Sequence, residues 1–411
     1  MSASATAVAS SLSAPRPSIN TPAALVAAVL LLGGMAGIGQ AVSPRQAALY
    51  LLGAALGLVL YHAAFGFTSA WRVFIADRRG EGLRAQMVML AIAVLLFFPV
   101  LASGSLFGQP VQGQVAPVGV SVLFGAFLFG IGMQLGGGCA SGTLYTVGGG
   151  SVRMILTLAA FIAGSAIGAA HLHWWSALPH LPPVSLVQLW GPGLALAVHL
   201  AVFAVIAGAT VLLERRRHGG LVRPVAPPRT GLARFLRGPW PILAGAVALA
   251  VLNFVTLALA GRPWGITSAF ALWGSKAAML LGFDAASWPF WSSPARQAAL
   301  QGSVLQDVTS VMDFGIVTGA LLAAALAGRF APAWRVPLRS AIAAVLGGLM
   351  LGYGARLAYG CNIGAYFSGI ASGSLHGWAW LMAAFLGNVL GTRLRPLFGL
   401  AVERSPRPTG C

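Results

Sequence analysis

The stretch Gly136-Gly137-Gly138-Cys139-Ala140-Ser141-Gly142 decides how this chain is interpreted, because Tyr359-Gly360-Cys361-Asn362-Ile363-Gly364 repeats its pattern 222 residues later. Each stretch follows a long apolar run, interrupts it with glycine, contributes one cysteine and leads into another helix-compatible run. Inside a membrane, an interrupted helix is tolerated where its free backbone groups line a protein cavity. Two interruptions at matching places therefore predict a transport site built by two halves of the chain.

Composition sets the class of protein. The chain has 411 residues, of which 58% are hydrophobic and only 8% are charged, whereas a soluble domain has about 25% charged residues. We therefore expect an all-α polytopic protein whose main partner is the lipid bilayer. The net charge of +18 does not indicate nucleic-acid binding, because the arginines are concentrated in a few loops between apolar runs, as the positive-inside rule expects.

The apolar runs predict about ten transmembrane helices and four shorter segments. Runs of spanning length occur at 22–42, 47–66, 85–102, 117–135, 152–170, 193–213, 240–261, 311–328, 338–356 and 377–392. Shorter apolar pieces follow the two cysteines, at 140–147 and 362–371, and two other glycines, at 67–76 and 267–282. We interpret these four pieces as half-helices or re-entrant segments.

A basic, proline-containing linker divides the chain. The predicted organisation is a disordered N-terminal tail at 1–21, a first transmembrane half at 22–213 with its repeat core at about 47–170, a linker at 214–238, a second half at 239–392 and a tail at 393–411. We expect the linker to be extended, since prolines and arginines favour neither compact structure nor burial.

Loop charge predicts the orientation. Arginines cluster at 72–84, 214–238, 329–339 and 393–411, whereas the loops at 103–116 and 171–192 contain no Lys or Arg. By the positive-inside rule the arginine-rich loops and both termini face the cytoplasm. We expect a multi-pass protein of the inner (plasma) membrane.

The two halves are expected to be inverted repeats. A second match pairs the stretch at 65–71 (Phe-Gly-Phe-Thr-Ser-Ala-Trp) with the one at 264–270 (Trp-Gly-Ile-Thr-Ser-Ala-Phe). An odd number of predicted spans separates equivalent positions, so the second half should cross the membrane in the opposite sense. The first and sixth spans have no counterpart and should be peripheral. Transporters built in this way bind their substrate near the midplane.

The candidate site has the chemistry of a small-anion site. A half-helix that begins after each cysteine offers free N–H groups and a partial positive charge, and glycine lets the backbone approach a ligand. The predicted substrate-binding or pore residues are Gly138, Cys139, Ser141 and Gly142; Gly360, Cys361, Asn362 and Gly364; Gly66, Thr68, Gly265 and Thr267; and Gln134 and Arg356. We predict no cofactor, metal or catalytic residue. The chain has only seven acidic residues and hard cations prefer carboxylate oxygens, which argues against a transporter of metal cations.

The cysteines have two interpretations. A thiol can contact or react with a sulfur-bearing substrate, but cysteine is also a small residue that packs well beside glycine. The matched positions of Cys139 and Cys361 favour the first interpretation. Cys411, the last residue of a polar tail, is expected to have no role.

Several polar residues in apolar segments also have two interpretations. Arg356 is either a functional residue or one that extends towards the membrane surface, and Gln134 is its counterpart in the repeat. Lys276 is interpreted as an interfacial anchor and Asp313 as a helix cap, although either could serve transport. Tyr366 and its counterpart Tyr145 either line the pore or pack.

Two segments, at 136–151 and 352–374, surround the cysteines, and the second contains Gly-Ala-Arg-Leu at 354–357 and Gly-Cys-Asn-Ile-Gly at 360–364. These segments resemble the YeeE/YedE family of sulfur transporters. The stretch Phe-Gly-Phe-Thr-Ser-Ala at 65–70 is similar to the other glycine motif of that family. The resemblance covers about 47–392. It implies a carrier or channel for thiosulfate or a related sulfur species, passed between Cys139 and Cys361 in a narrow pore. Some relatives have a further cysteine nearer the N-terminus, which this chain lacks, and others are tied to selenium metabolism.

We therefore expect an inner-membrane importer of a small sulfur-containing anion, with thiosulfate as the leading substrate, rather than an enzyme. The alternative is a membrane subunit that carries persulfide or selenium sulfur-transfer chemistry to a cytoplasmic sulfur-transfer protein. A purely structural membrane subunit would explain the hydrophobicity but not the repeated cysteines.

Overall fold

The computed structural model describes residues 18–222 and 230–403. Most of the predicted N-terminal tail, the centre of the predicted linker and the end of the predicted C-terminal tail, with Cys411, lie outside these residues. Sixteen helices are described, in chain order: α1 Thr21–Ala41, α2 Pro44–His62, α3 Phe67–Asp77, α4 Glu81–Ser103, α5 Val120–Gly136, α6 Ala140–Gly148, α7 Val152–Ser176, α8 Leu186–His218, α9 Gly231–Arg237, α10 Ile242–Ala260, α11 Thr267–Leu280, α12 Pro294–Gln301, α13 Val308–Ala327, α14 Leu338–Leu357, α15 Ser368–Ala371 and α16 Leu375–Leu394.

The few other elements are short. A π-helical segment, Asn362–Phe367, precedes α15, and 3-10 turns occupy Ala285–Ser287, Pro289–Trp291, Val304–Gln306 and Arg395–Phe398. Two antiparallel strand pairs join β1 (Ser105–Leu106) to β2 (Gln109–Pro110) and β3 (Val118–Gly119) to β4 (His180–Leu181). The fold is therefore an all-α one.

The expected apolar spans are helices. Within the described residues, nine helical segments are long and apolar enough to cross a membrane. The tenth predicted run, 377–392, lies in the 20-residue helix α16. This helix is less apolar because it carries His376 and Asn388, both of which are buried against the rest of the protein. A multi-pass membrane protein is thus confirmed.

The four short segments are also helical, as predicted. They correspond to α3, α6, α11 and the π-helical segment with α15. The breaks before them need glycine at two points. Gly137 ends α5 with φ +93°, and Gly360 has φ +150°, a region that residues with a Cβ rarely adopt. The glycines therefore allow the chain to leave one helix and start the next within a few residues.

The two halves interlock. Helix α5 packs against α14 and α16, while α14 packs against α5 and α7. Helix α2 packs against α13, and α4 packs against α10. Helices α1 and α8, the first and sixth predicted spans, are mostly exposed and lie at the periphery. Each half therefore supplies the packing surface of the other, and the core lies between them.

Small residues permit this close packing. Gly53, Gly57, Gly315 and Gly319 lie where α2 meets α13, and a Cβ added at Gly319 would overlap the backbone of Ala54. Close backbone approach through small residues is a common way for helices to associate in membranes.

The expectation of an extended linker at 214–238 is wrong at both described ends. Helix α8 continues to His218, and α9 occupies 231–237. The basic residues in the last turn of α8 complement the negative end of the helix dipole. Glu214 accepts hydrogen bonds from Arg84 and from the backbone N–H of Gly80, which ties this end of α8 to α4. The arginines at 215–217, which contributed to the prediction of an extended linker, therefore belong to the last turn of α8.

Candidate functional site

Cys139 and Cys361 occupy equivalent places at the starts of the short helices. The Cys139 carbonyl accepts a hydrogen bond from the Thr143 backbone N–H at 2.8 Å, and its Sγ lies 3.3 Å from Ser141 Oγ. The Sγ of Cys361 accepts from the Ile363 backbone N–H at 3.4 Å. Each sulfur therefore lies at the N-terminal end of a helical segment, where backbone N–H groups are free to bind.

The two cysteine-bearing elements meet although 222 residues separate them in the chain. Helix α6 contacts the π-helical segment. Cys139 is 1% exposed and Cys361 is fully buried. The cysteine loops thus form one buried centre, closed to solvent in this structure.

Just before each break, an arginine or histidine side chain contacts backbone carbonyls at the C-terminal end of the helix. Arg153 donates to the carbonyls of Leu135 and Gly136 at 2.7 and 2.6 Å. In the other half, His376 Nε2 lies 3.1 Å from the Ala358 carbonyl. These bonds satisfy carbonyls that a helix leaves free at its C-terminus. Sequence reasoning missed both residues, although each lies near the start of the helix that follows a cysteine segment.

A cavity of about 300 Å³ lies beside the Cys361 loop; we call it the arginine cavity. Its lining includes Gly265, Thr267, Arg356, Gly360 and Gly364 of the predicted site, with Gln114, Leu172, Arg262, Pro263, Ile266, Ser268, Phe290, Arg296, Thr309, Met312 and Tyr359. None of these lining residues is acidic. A Cβ added at Gly265 or Gly364 would meet open space. The cavity is therefore basic and reaches the backbone of the second break.

Three arginines give the cavity its charge. Arg356 is 9% exposed and donates to Thr267 Oγ1 at 3.1 Å. The guanidinium of Arg296 lies 4.7 Å from the ring centre of Phe290, and Arg262 donates to Thr309 Oγ1 at 3.2 Å. Cations held by neutral partners keep their charge available for an anion. Arg356 lines the cavity, which favours the first of its two interpretations, a functional residue, over extension towards the membrane surface.

Gln134 and Thr68 are brought together away from the arginine cavity. Gln134 is fully buried and donates to the Thr68 carbonyl at 3.2 Å and to Asn388 Oδ1 at 2.6 Å. Gly66 lines a separate cavity of about 330 Å³ with Ser69 and Glu214. The predicted set therefore divides into two groups, one beside each cysteine loop.

The other predicted glycines differ in what they approach. A Cβ added at Gly142 would lie 3.6 Å from Cys139 Sγ. At Gly138, a Cβ would come within 3.1 Å of Gly142, Thr143 and Met154, so Gly138 serves tight packing of the break rather than the cavity surface.

Several buried polar groups near the cysteine loops have no hydrogen-bond partner. Within the described residues, both side-chain atoms of Asn362, the Thr68 hydroxyl and Arg356 Nε are buried and have no hydrogen-bond partner. An unpaired buried polar group costs about 1–3 kcal/mol. Such groups next to the cysteine loops are suited to a polar ligand that would pair with them.

Four further residues with open interpretations are now placed. The predicted helix cap at Asp313 is wrong, because Asp307 caps α13 by accepting the Ser310 N–H at 2.7 Å. Asp313 is instead buried inside α13, six residues after Asp307. Lys276 donates to the carbonyls of Leu300 and Gly302, which supports the anchor interpretation.

Tyr366 packs in a buried aromatic cluster with Phe67, Trp71 and Trp380. Tyr145, in contrast, lines a third cavity, of about 360 Å³, with Tyr61 and Arg153. Among the residues that the structure describes, no group of three His, Cys, Asp or Glu side chains is arranged to hold a metal.

Together, these features define a multi-pass helical membrane protein with interrupted helices around a buried pair of cysteines. The sequence matches the Sulphur transport family over residues 62–390. The chain therefore belongs to this family, and the resemblance to YeeE/YedE is confirmed.

Individual relatives agree with this assignment. The chain is 32% identical over 169 residues to the probable transporter YedE of Escherichia coli (strain K12), which is 40% of either protein. It is 27% identical over 363 residues to the thiosulfate transporter TsuA of Spirochaeta thermophila, covering 82% of this chain and 95% of the relative. For the thiosulfate transporter TsuA of Escherichia coli (strain K12) the identity is 26% over 355 residues, with 82% and 91% covered. The relatives are named as transporters, in line with the expectation that the chain is not an enzyme.

Proposed function

We propose that this protein imports a small sulfur-containing anion, with thiosulfate as the leading substrate. The observation that carries the proposal is the basic cavity beside the Cys361 loop. Its lining has three arginines and no acid, and the loop it reaches contacts the helix that begins after Cys139. A divalent oxyanion would be attracted into such a cavity and would arrive next to two soft sulfur atoms.

The proposed path runs from the arginine cavity, past Cys361 and Cys139, to the Gly66 cavity. Asn362 and the helix N-termini supply neutral donors along it, which suits an anion that must also leave. Both cysteines are buried in this structure, so it corresponds to a closed state. Transport requires the loops to move, and no covalent turnover is needed for this role.

The inverted arrangement of the halves is part of the proposal. The reciprocal packing of α5 on α16 and of α7 on α14, together with the odd number of intervening spans, supports it. With the arginine-rich loops at the cytoplasmic face of the inner membrane, both termini lie inside and the arginine cavity opens outward. The names of the two TsuA relatives, each covering 82% of this chain, support thiosulfate as the substrate.

The alternative function, transfer of persulfide sulfur to a cytoplasmic partner protein, is not favoured by any contact among the described residues. It would require a sulfur that a partner protein can reach, whereas both sulfurs are buried.

The test is growth of a bacterium that cannot take up other sulfur sources, with thiosulfate as the only sulfur supply. We expect the wild type and Cys411→Ser to support growth, and Cys139→Ala and Cys361→Ser to fail while reaching the membrane in equal amount. Uptake of radiolabelled thiosulfate by the same cells separates import from later sulfur transfer. Equal growth with both central cysteine variants would rule out their role, and no uptake by the wild type would rule out thiosulfate.

A further inference from the structure

The chain that follows α16 folds back onto the helix ends near the first cysteine loop. The 3-10 turn Arg395–Phe398 and the left-handed Gly399 reverse its direction. Arg395 then donates to the Ala401 carbonyl at 2.9 and 2.8 Å, and its third contact reaches the Gln134 carbonyl at 2.6 Å. One buried arginine thus joins the C-terminal segment to the end of α5.

This turn brings the carboxylate of Glu403 to Arg72. Arg72 Nε donates to Oε2 at 2.6 Å, and Nη2 donates to the other oxygen, a two-bond contact that fits guanidinium and carboxylate geometry. The remaining nitrogen of Arg72 lies 3.4 Å from Gln134 Oε1. Arg72 is 8% exposed, whereas the Glu403 side chain is 45% exposed. The basic side of the pair is therefore built into the protein, and the acidic side lies at its edge.

The position of this pair matters because Gln134 is the repeat counterpart of Arg356. In the second half, Arg356 itself supplies a guanidinium beside the break. In the first half, Arg72 supplies one next to Gln134. Arg72 and Arg395 together carry two positive charges, and Glu403 neutralises only one of them. A divalent anion would therefore neutralise the site more completely. Buried cations left unpaired would be strongly unfavourable, so the site needs another anion whenever the Glu403 carboxylate is displaced.

We propose that Arg72, Arg395 and Gln134 form a second anion site, for a divalent oxyanion, and that Glu403 is a tethered competitor for it. This inference rests on the proposed function for the identity of the transported anion. If that anion is the substrate, the second anion site holds it before release. A free oxyanion displaces the Glu403 side chain from Arg72, and Glu403 occupies the site again when the anion departs.

Displacement by an anion, rather than by acid, is the expected trigger. The hydrogen bonds from Arg72 lower the pKa of Glu403 to about 2. A carboxyl with a lowered pKa contributes its ion pair above its ordinary pKa and loses it only as the pH falls through the lowered value. The contact with Arg72 therefore persists throughout the physiological range of pH.

The experiment measures thermal stability of the purified full-length protein against sulfate concentration, at constant ionic strength. With Glu403→Gln, the sulfate concentration that gives half of the maximal stabilisation should fall several-fold, because the competitor is removed. With Arg72→Gln, that stabilisation should be reduced, because only the arginine cavity would still bind sulfate. Asp284→Asn, which changes an exposed acid in a distant loop, should behave as the wild type. The same comparison on the Arg356→Gln background reduces the contribution of the arginine cavity, which keeps Arg262 and Arg296.

An unchanged sulfate dependence in Glu403→Gln, on both backgrounds, would overturn the proposal, and this variant decides the matter even if Arg72→Gln does not fold. The measurement involves no transport. Normal sulfate binding with no thiosulfate uptake would therefore refute the proposed function alone, and normal uptake with an unaltered sulfate response would refute the anion site alone.

Discussion

Arg356 and Gln134 occupy matching positions one turn before the two breaks and contact matching threonines. Arg356 donates to the Thr267 hydroxyl, and Gln134 donates to the Thr68 carbonyl. The difference lies in charge and access, since Arg356 faces a cavity while Gln134 is enclosed by Asn388 and Arg72. One side of the centre therefore carries a cation that a substrate can reach directly.

We expect Arg356→Gln to weaken substrate capture while the fold is retained, because glutamine already occupies the counterpart position. A hydrogen bond to a charged group contributes about 1.5–3 kcal/mol, so the KM for thiosulfate should rise by about tenfold or more. Initial uptake rates across a range of thiosulfate concentrations measure this. Arg45→Gln, which changes an exposed arginine bonded to the Leu259 carbonyl, is the matched control. An unchanged KM would remove Arg356 from the site.

At the scale of elements, the arrangement depends on helices that approach closely and helices that are interrupted. Glycines on α2 and α13 allow their backbones to meet, and this contact brings α13, which lines the arginine cavity through Thr309 and Met312, into place. The interruptions then expose N–H groups beside the cysteines. Glycine thus has two separate roles, one in helix contacts and one at the breaks.

Gly319→Ala should destabilise the protein, because the added methyl group would overlap the Ala54 backbone. Overpacking of a tight core costs about 1–3 kcal/mol, so we expect a clearly lower unfolding temperature for the purified protein. Gly33→Ala is the control, since its Cβ would meet nothing within 4 Å. Equal unfolding temperatures for the two variants would show that the α2–α13 contact tolerates a Cβ.

For the whole molecule, the proposed inversion makes a prediction about sidedness. In a chain with Cys139, Cys361 and Cys411 replaced by alanine, Leu181→Cys and Leu221→Cys introduce thiols at positions that are 56% and 46% exposed. A membrane-impermeant thiol reagent added to intact cells should label the first and not the second, and disrupted cells should allow labelling of both. Labelling of both in intact cells would contradict the proposed topology.

The sequence by itself determined the class of protein, the apolar spans, the four short helices and the paired cysteine loops. These follow from local properties: the length of apolar runs, glycine at the breaks and a repeated motif. The tertiary structure decided which charges meet. Arg262 lies in a loop and Arg296 in the short helix α12, neither in a distinctive sequence pattern, and Glu403 reaches Arg72 across 331 residues. Such convergence depends on loop folding and helix packing, which apolar periodicity and loop charge do not encode.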